Sequence, residues 1–477
     1  MSSSSRGALL LGVLLVLVAA RGAQHPARIL AFAGSVGPDQ TPLALERAMQ
    51  ALDDGNRVPA EVLLFGSGQA LWPSVMVEPA EPSPSLVEEL GRVMGQGATL
   101  GVHYRPTRLR GVDGPVTREA LLASLGAMAR SLDPQDTLLV LGAGHGELTP
   151  DGSGSEVLLW GADRLRVEDL TTLLDDVAPQ ARVALVIGHC FGGDLARIAF
   201  RGADPASPLA PRCGLFASPG DRLADGCGAR RDDAPNFVEL VSRALAQGDA
   251  RLDLDGDGAL SLVELHRHLL QTDRSINVPL LSSQSILRLH LEPAPLVQTR
   301  QIGEVLAHSS APQAESLRLL ARSLFVDDSA TGGELRARLD GLGEAMQSAA
   351  AQRALLQEEQ ELSRQELVDR IAERWPSLLN AYRADFAATL HQAEPELAGL
   401  LDEDLAAATW YEVEQELQLL DRWQGEQELE QALLLRLVHA LEEAVVLPLL
   451  EQEDPAWRHA LQPVLDCEHA PLVRVRI

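Results

Sequence analysis

The sequence of 477 residues lacks lysine altogether, so its 40 strongly basic residues are all arginine. Against them stand 68 acidic residues, for a formal net charge of -28. Nucleic acid is held by clustered cations that displace counterions from phosphate, so this balance argues against nucleic-acid partners and against anionic membrane surfaces. Aromatic residues are only 4%, and Leu, Ala and Val supply most of the apolar content; the 46% hydrophobic share is enough for a sizeable core and excludes global disorder. Long apolar runs are also scarce. The run at residues 8–20 follows Arg6 and leads into Val18, Ala19, Ala20 and Ala23, small residues that suit a cleavage site. Residues 1–23 therefore read as an export signal, and the mature chain is expected in a periplasm or outside the cell, without a membrane span. Cysteine is sparse: Cys190, Cys213, Cys227 and Cys467. An exported chain can keep disulfides. Cys213 and Cys227 are close enough in sequence to pair, which would leave Cys190 reduced.

Periodicity divides the chain in two. Up to about residue 293, short apolar stretches at 29–33, 61–65, 136–142, 157–160, 181–188 and 213–217 predict strands. Amphipathic stretches at 41–52, 86–94, 117–131, 167–177 and 237–246 predict helices, with Thr117 as an N-cap. The Pro-rich stretch 73–84 reads as a loop. DTLLVLG and ARVALVIG are continuous apolar runs, which a strand shows when both its faces are covered. The expectation is an α/β domain over residues 24–293, with a mainly parallel sheet between two helical layers. Sites in such sheets lie at the carboxyl ends of the strands. Beyond 293, Gly and Pro thin out and Glu, Gln, Leu and Ala dominate. Helices at 316–324, 333–349, 355–375, 411–423 and 427–447 predict a separate acidic α-helical region over 294–477.

Two of the buried runs end in reactive side chains. LVLGAGHGEL places His145 and Gly146 after one strand, and VALVIGHCFGGDLA places Cys190 after the next. If the strands are neighbours, their ends are about 4.8 Å apart, and an imidazole can take the proton of a thiol. A thiolate attacking a carbonyl puts charge on the oxygen, which backbone N–H groups must meet. Gly146 directly after His145, and Gly192 and Gly193 just beyond Cys190, let the backbone come close.

The order of these pieces resembles the clan of caspases, metacaspases, legumains and related bacterial peptidases. The resemblance runs from the helix TREALLASLGAMARSL to the strand ending in His145-Gly146, the hairpin SEVLLWG, the helix VEDLTTLLDDV and the strand ending in Cys190. It implies a three-layer α/β/α caspase-like sandwich and an endopeptidase acting on peptide or protein substrates. It further implies a nucleophile at Cys190, a general acid/base at His145, and an oxyanion held by the N–H groups of Gly146 and Cys190. Members of the clan carry a polar residue two positions before the cysteine; Gly188 stands there, which leaves the P1 preference open. Two other readings use the same residues. Gly188-His189-Cys190-Phe191-Gly192 also fits a G-x-C-x-G elbow of a cysteine α/β hydrolase, whose histidine would follow at His266, His268, His290 or His308. The other is an inactive caspase-like protein that binds calcium.

Asp253, Asp255, Asp257, the Ala259 carbonyl, Ser261 and Glu264 match the ligand positions of an EF-hand loop, with Gly258 at the turn. Residues 253–264 therefore predict calcium as a cofactor, in a loop with a clear exiting helix at 262–270 and no second such loop to pair with. The oligomeric state is not legible.

Overall fold

The computed structural model describes residues 27–34, 41–54, 60–68, 74–77, 86–94, 103–133, 136–225, 235–290, 293–380 and 383–475. The expected export signal and Cys227 lie outside them.

The strands that build the centre are β1 (Arg28–Ala33), β2 (Val62–Phe65), β3 (Thr137–Ala143), β4 (His145–Leu148), β5 (Ser155–Leu158), β6 (Arg182–Gly188) and β7 (Arg212–Phe216), with short strands β8 (Ala259–Leu260), β9 (Leu280–Leu281) and β10 (Val473–Arg474). The main sheet runs β9-β7-β6-β3-β1-β2. Every pairing in it is parallel except β7 with the edge strand β9. All seven residues of β3 are buried, as a strand covered on both faces requires. One face carries Ile29, Ala31, Leu139, Leu141, Ala184 and Val186 under helices α1 (Leu43–Asp54) and α4 (Phe237–Gln247). The other carries Leu30, Phe32, Leu138, Val140, Leu185 and Ile187 under α2 (Arg118–Arg130) and α3 (Val167–Val177). The chain is thus mixed α/β with a mostly parallel central sheet. Thr117 accepts the Ala120 N–H and caps α2, as the sequence predicts. Within the expected Pro-rich loop, Ser74–Val77 is a strand, paired with His103–Pro106.

The calcium-type loop leads into α5 (Leu262–Thr272), and α6 (Ser282–His290) follows β9. The helical region is long: α7 (Gly332–Arg374) has 43 residues and α8 (Leu405–Glu453) has 49. The sequence predicts each as two helices, broken in α8 near Gly425. A glycine inside a helix costs only about 1 kcal/mol relative to alanine, and α7 and α8 pack along each other, which offsets it. No helix among the described residues is long and apolar enough to cross a membrane.

The helical region is also not self-contained. Its final helix, α9 (Gln462–Glu468), lies on the sheet, where Val464, Cys467, Leu472 and Val473 join the core of the α/β unit. Strand β10 pairs with β8, and Ala27 at the start of the sheet donates to the Leu472 carbonyl at 2.8 Å. Cys213 does not pair with Cys227. It forms a disulfide with Cys467, 254 residues away, with Cα atoms 5.9 Å apart. Proximity in sequence is a weak guide here, because the fold brings the chain's end back onto β7.

Closing so long a loop restricts the unfolded chain strongly. Replacing Cys467 by Ser should cost about 2–5 kcal/mol in a denaturant titration. Peptide mapping of the unreduced protein should find the Cys213–Cys467 cross-link, and its absence would refute this pairing.

Candidate functional site

Strands β3 and β6 are adjacent, with Ala143 opposite Gly188. His145 stands two residues beyond Ala143 and Cys190 two beyond Gly188, so both leave the same edge of the sheet at the same level. Helix α1 follows β1 on one face, whereas the hairpin and α3 that follow β3 serve the other. The connections diverge between β1 and β3, the kind of switch point beside which parallel α/β sheets hold their ligands.

The contact between the two loops is close. A Cβ on Gly146 would stand 2.2 Å from the Cys190 carbonyl oxygen, so only glycine fits. Gly146 sits in the β4–β5 hairpin, opposite Val157. Cys190 is half-buried and is the free cysteine among the described residues. Its Sγ receives the Ala224 N–H at 3.4 Å and lies 3.7 Å from the Ala224 carbonyl. Among the described residues, no acceptor takes the Cys190 N–H. The next residue, Phe191, has a left-handed backbone at φ 59°, a conformation that costs a non-glycine residue roughly 1–2 kcal/mol. The Arg222 carbonyl holds it there, accepting the Phe191 N–H at 2.8 Å.

Burial pushes the pKa of His145 below its usual value, and the Glu147 charge opposes the drop. Glu147 itself is exposed and paired with Arg164 at 3.0 Å. His189, just before the thiol, is fully buried and stacked on Phe32 with ring centroids 6.0 Å apart. Neither ring nitrogen has a partner in hydrogen-bond geometry. Burial drives its pKa down to about 3, the nearby His145 adds to the drop, and the Ala143 carbonyl opposes it. His189 is therefore neutral near pH 7.

The position two before the thiol leaves no room for a side chain: a Cβ on Gly188 would stand 2.5 Å from Cγ2 of Val238 on α4. Of the downstream histidines, His266 is buried with Nε2 3.0 Å from the Pro279 carbonyl, and His308 places Nδ1 2.8 Å from the Glu304 carbonyl. The sequence singles out neither the role of His189 nor that of Ser218, which is buried and donates to the His189 carbonyl at 3.3 Å. The one sequence signal for Ser218 is its place directly after the apolar strand β7.

In the calcium-type loop, carboxylate oxygens of Asp253, Asp255 and Asp257 all lie within 4.8 Å of one another. Calcium–oxygen distances are about 2.3–2.6 Å, so such a trio can share one ion. Asp253 accepts the N–H groups of Gly256 and Gly258 at 2.8 and 3.0 Å, Asp255 that of Asp257 at 3.0 Å, and Asp257 that of Ala259 at 2.8 Å. Burial raises the pKa of Asp257, and the charges of Asp255 and Asp253 raise it further. Glu264 and Ser261 are bonded to each other and to the loop backbone. Glu264 accepts the N–H groups of Leu254 at 2.6 Å and Ser261 at 2.8 Å, and the Ser261 hydroxyl at 2.9 Å, which makes the pair the capping box of α5. The entering side has only the short 3-10 turn Ala250–Leu252. The edge left open by the missing second loop is taken by β10.

No protein-family model matches the chain, and no curated protein is significantly similar to it. Among solved structures, the protein GSU0716 of Geobacter sulfurreducens aligns over 53% of this chain and 92% of its own, at 15% identity and a TM-score of 0.32. So slight a likeness carries no argument about fold or activity.

Two outcomes follow. Gly146→Ala forces a methyl group onto the Cys190 carbonyl, and should destabilise the chain by about 1–3 kcal/mol and alter the rate at which iodoacetamide alkylates Cys190; an unchanged rate would refute the contact. His189 titrates near 6.5 when unfolded and at about 3 in the fold. Its contribution is complete above pH 6.5 and is lost as pH falls toward 3, at up to about 1.4 kcal/mol per pH unit. Melting temperature should therefore fall less between pH 7 and pH 4 in His189→Gln than in the parent.

Proposed function

We propose that the chain is an exported cysteine endopeptidase of the caspase-like kind, with Cys190 as nucleophile and His145 as general acid/base. One observation carries the reading: β3 and β6 deliver His145 and Cys190 in matched register, with Gly146 against the Cys190 backbone. The Cys190 proton passes to His145, and the thiolate attacks the scissile carbonyl. Charge on the resulting oxyanion is met by the N–H of Cys190, which no described group occupies, together with that of Gly146. His145 then gives its proton to the leaving amine, and water hydrolyses the thioester. His189 stays neutral throughout, so it does not compete for the proton.

The elbow reading of a cysteine α/β hydrolase is less well supported. It leaves His145-Gly146 without a purpose, while His266 and His308 are engaged with carbonyls of their own surroundings. The clan's polar specificity residue has no counterpart at Gly188, where Val238 fills the space, so P1 selection falls to other residues. Calcium as a cofactor is supported by the trio Asp253, Asp255 and Asp257. When bound it would supply positive charge that relieves their repulsion.

A peptide library varied at P1 tests the activity. The parent should cleave, Cys190→Ala should not, and His145→Ala should lose about 10²–10⁴-fold in kcat/KM. A folded parent that leaves every peptide intact would sink the peptidase reading in favour of an inactive calcium-binding relative. For the metal, calorimetric titration should show calcium binding weakened about tenfold or more by Asp255→Asn; equal heats in both proteins would remove calcium from the account.

A further inference from the structure

The proposed reaction leaves unexplained why the longest helix reaches the loop that touches the thiol. Residues 218–225 follow β7, and Ala224 in this loop donates to Cys190 Sγ. Two points of helix α8 hold the loop. Gln431 accepts from Nη1 of Arg222 at 2.7 Å, and the carbonyl of the same Arg222 fixes the left-handed Phe191 beside the thiol. Five residues further along, Arg436 is wholly buried. Its Nε, Nη1 and Nη2 donate to the carbonyls of Asn277, Asp273 and Ser275 at 2.7, 2.7 and 2.8 Å. Asn277 in turn accepts the Asp225 N–H at 2.7 Å and donates to Asp273 at 2.9 Å. The residue it grips is thus the immediate neighbour of Ala224.

We propose that α8 is a built-in part of the site, with Arg436 and Gln431 as positioning residues that set the Ala224 loop against the Cys190 thiol. The word positioning rests on the peptidase reading; the mechanical link does not. A buried guanidinium bound to three carbonyls is costly to separate, because both sides would lose their partners at once. The disulfide at Cys213 joins the end of the same helical region to β7, the strand that leads into this loop. The arrangement is that of a permanent brace. A helical cover removed on activation would have to take the loop's supports away with it.

The test uses the full chain with its disulfide intact. Alkylation of Cys190 by iodoacetamide is followed against pH by the mass of the peptide bearing it, alongside melting temperature. Gln431→Ala should change the alkylation rate by about threefold or more, while Gln431→Glu, which keeps an acceptor for Arg222, should restore the parent profile. Arg436→Lys should change the rate in the same direction, since one ammonium cannot serve three carbonyls. Arg436→Ala is avoided because it leaves those carbonyls bare and endangers folding. A parent-like profile in Gln431→Ala, or a change that Gln431→Glu fails to reverse, overturns the proposal. A melting-temperature drop without a change in alkylation makes the brace merely structural and overturns it equally. If the variants alter alkylation as expected but the parent cleaves no peptide, the positioning link stands and the peptidase reading falls.

Discussion

Everything at the candidate site depends on the register of β3 against β6. Parallel strands advance together, so residues at equal distance past a bonded pair emerge side by side. With Ala143 opposite Gly188, the two loops meet where Gly146 touches the Cys190 carbonyl. A shift of one residue would turn every side chain of β6 to the opposite face and take the apolar residues out of both cores. The same burial that stabilises the sheet therefore fixes the place of the chemistry.

Around this centre, polar groups are buried where they hold loops rather than elements. Ser218 bonds the His189 carbonyl, Asn277 bonds the Asp225 N–H, and Arg436 satisfies three carbonyls between α5 and β9. Loops cannot pair their backbone groups as helices and strands do, so buried loops need such side chains. His189 departs from this, as does Nε of Arg222 in the loop after β7. The His189 nitrogens are unpaired, and the cost is lowered by remaining neutral.

The helical region and the calcium-type loop converge on the same end of the chain. Strand β10 completes the edge beside β8, α9 lies on the sheet, and Cys467 is bonded to Cys213. The acidic loop, the disulfide and the first strand are therefore tied to one short segment running from Cys467 through Leu472 to Arg474. Composition divides the chain near residue 293, but packing does not, because apolar side chains of α9 are buried in the first core.

Local pattern was sufficient for much of this protein. The strands ending before His145 and Cys190, the helices around them, the cap at Thr117 and the acidic loop are legible because each depends on the periodicity or spacing of nearby residues. The unbroken length of α7 and α8 was not, since it depends on the partner each helix packs against. The Cys213–Cys467 pairing, the filling of space at Gly188 by Val238, the isolation of His189 and the grip of Arg436 on a distant loop were decided by tertiary structure alone. Each joins residues far apart in sequence, and only the folded chain, by excluding water between them, determines which of them meet.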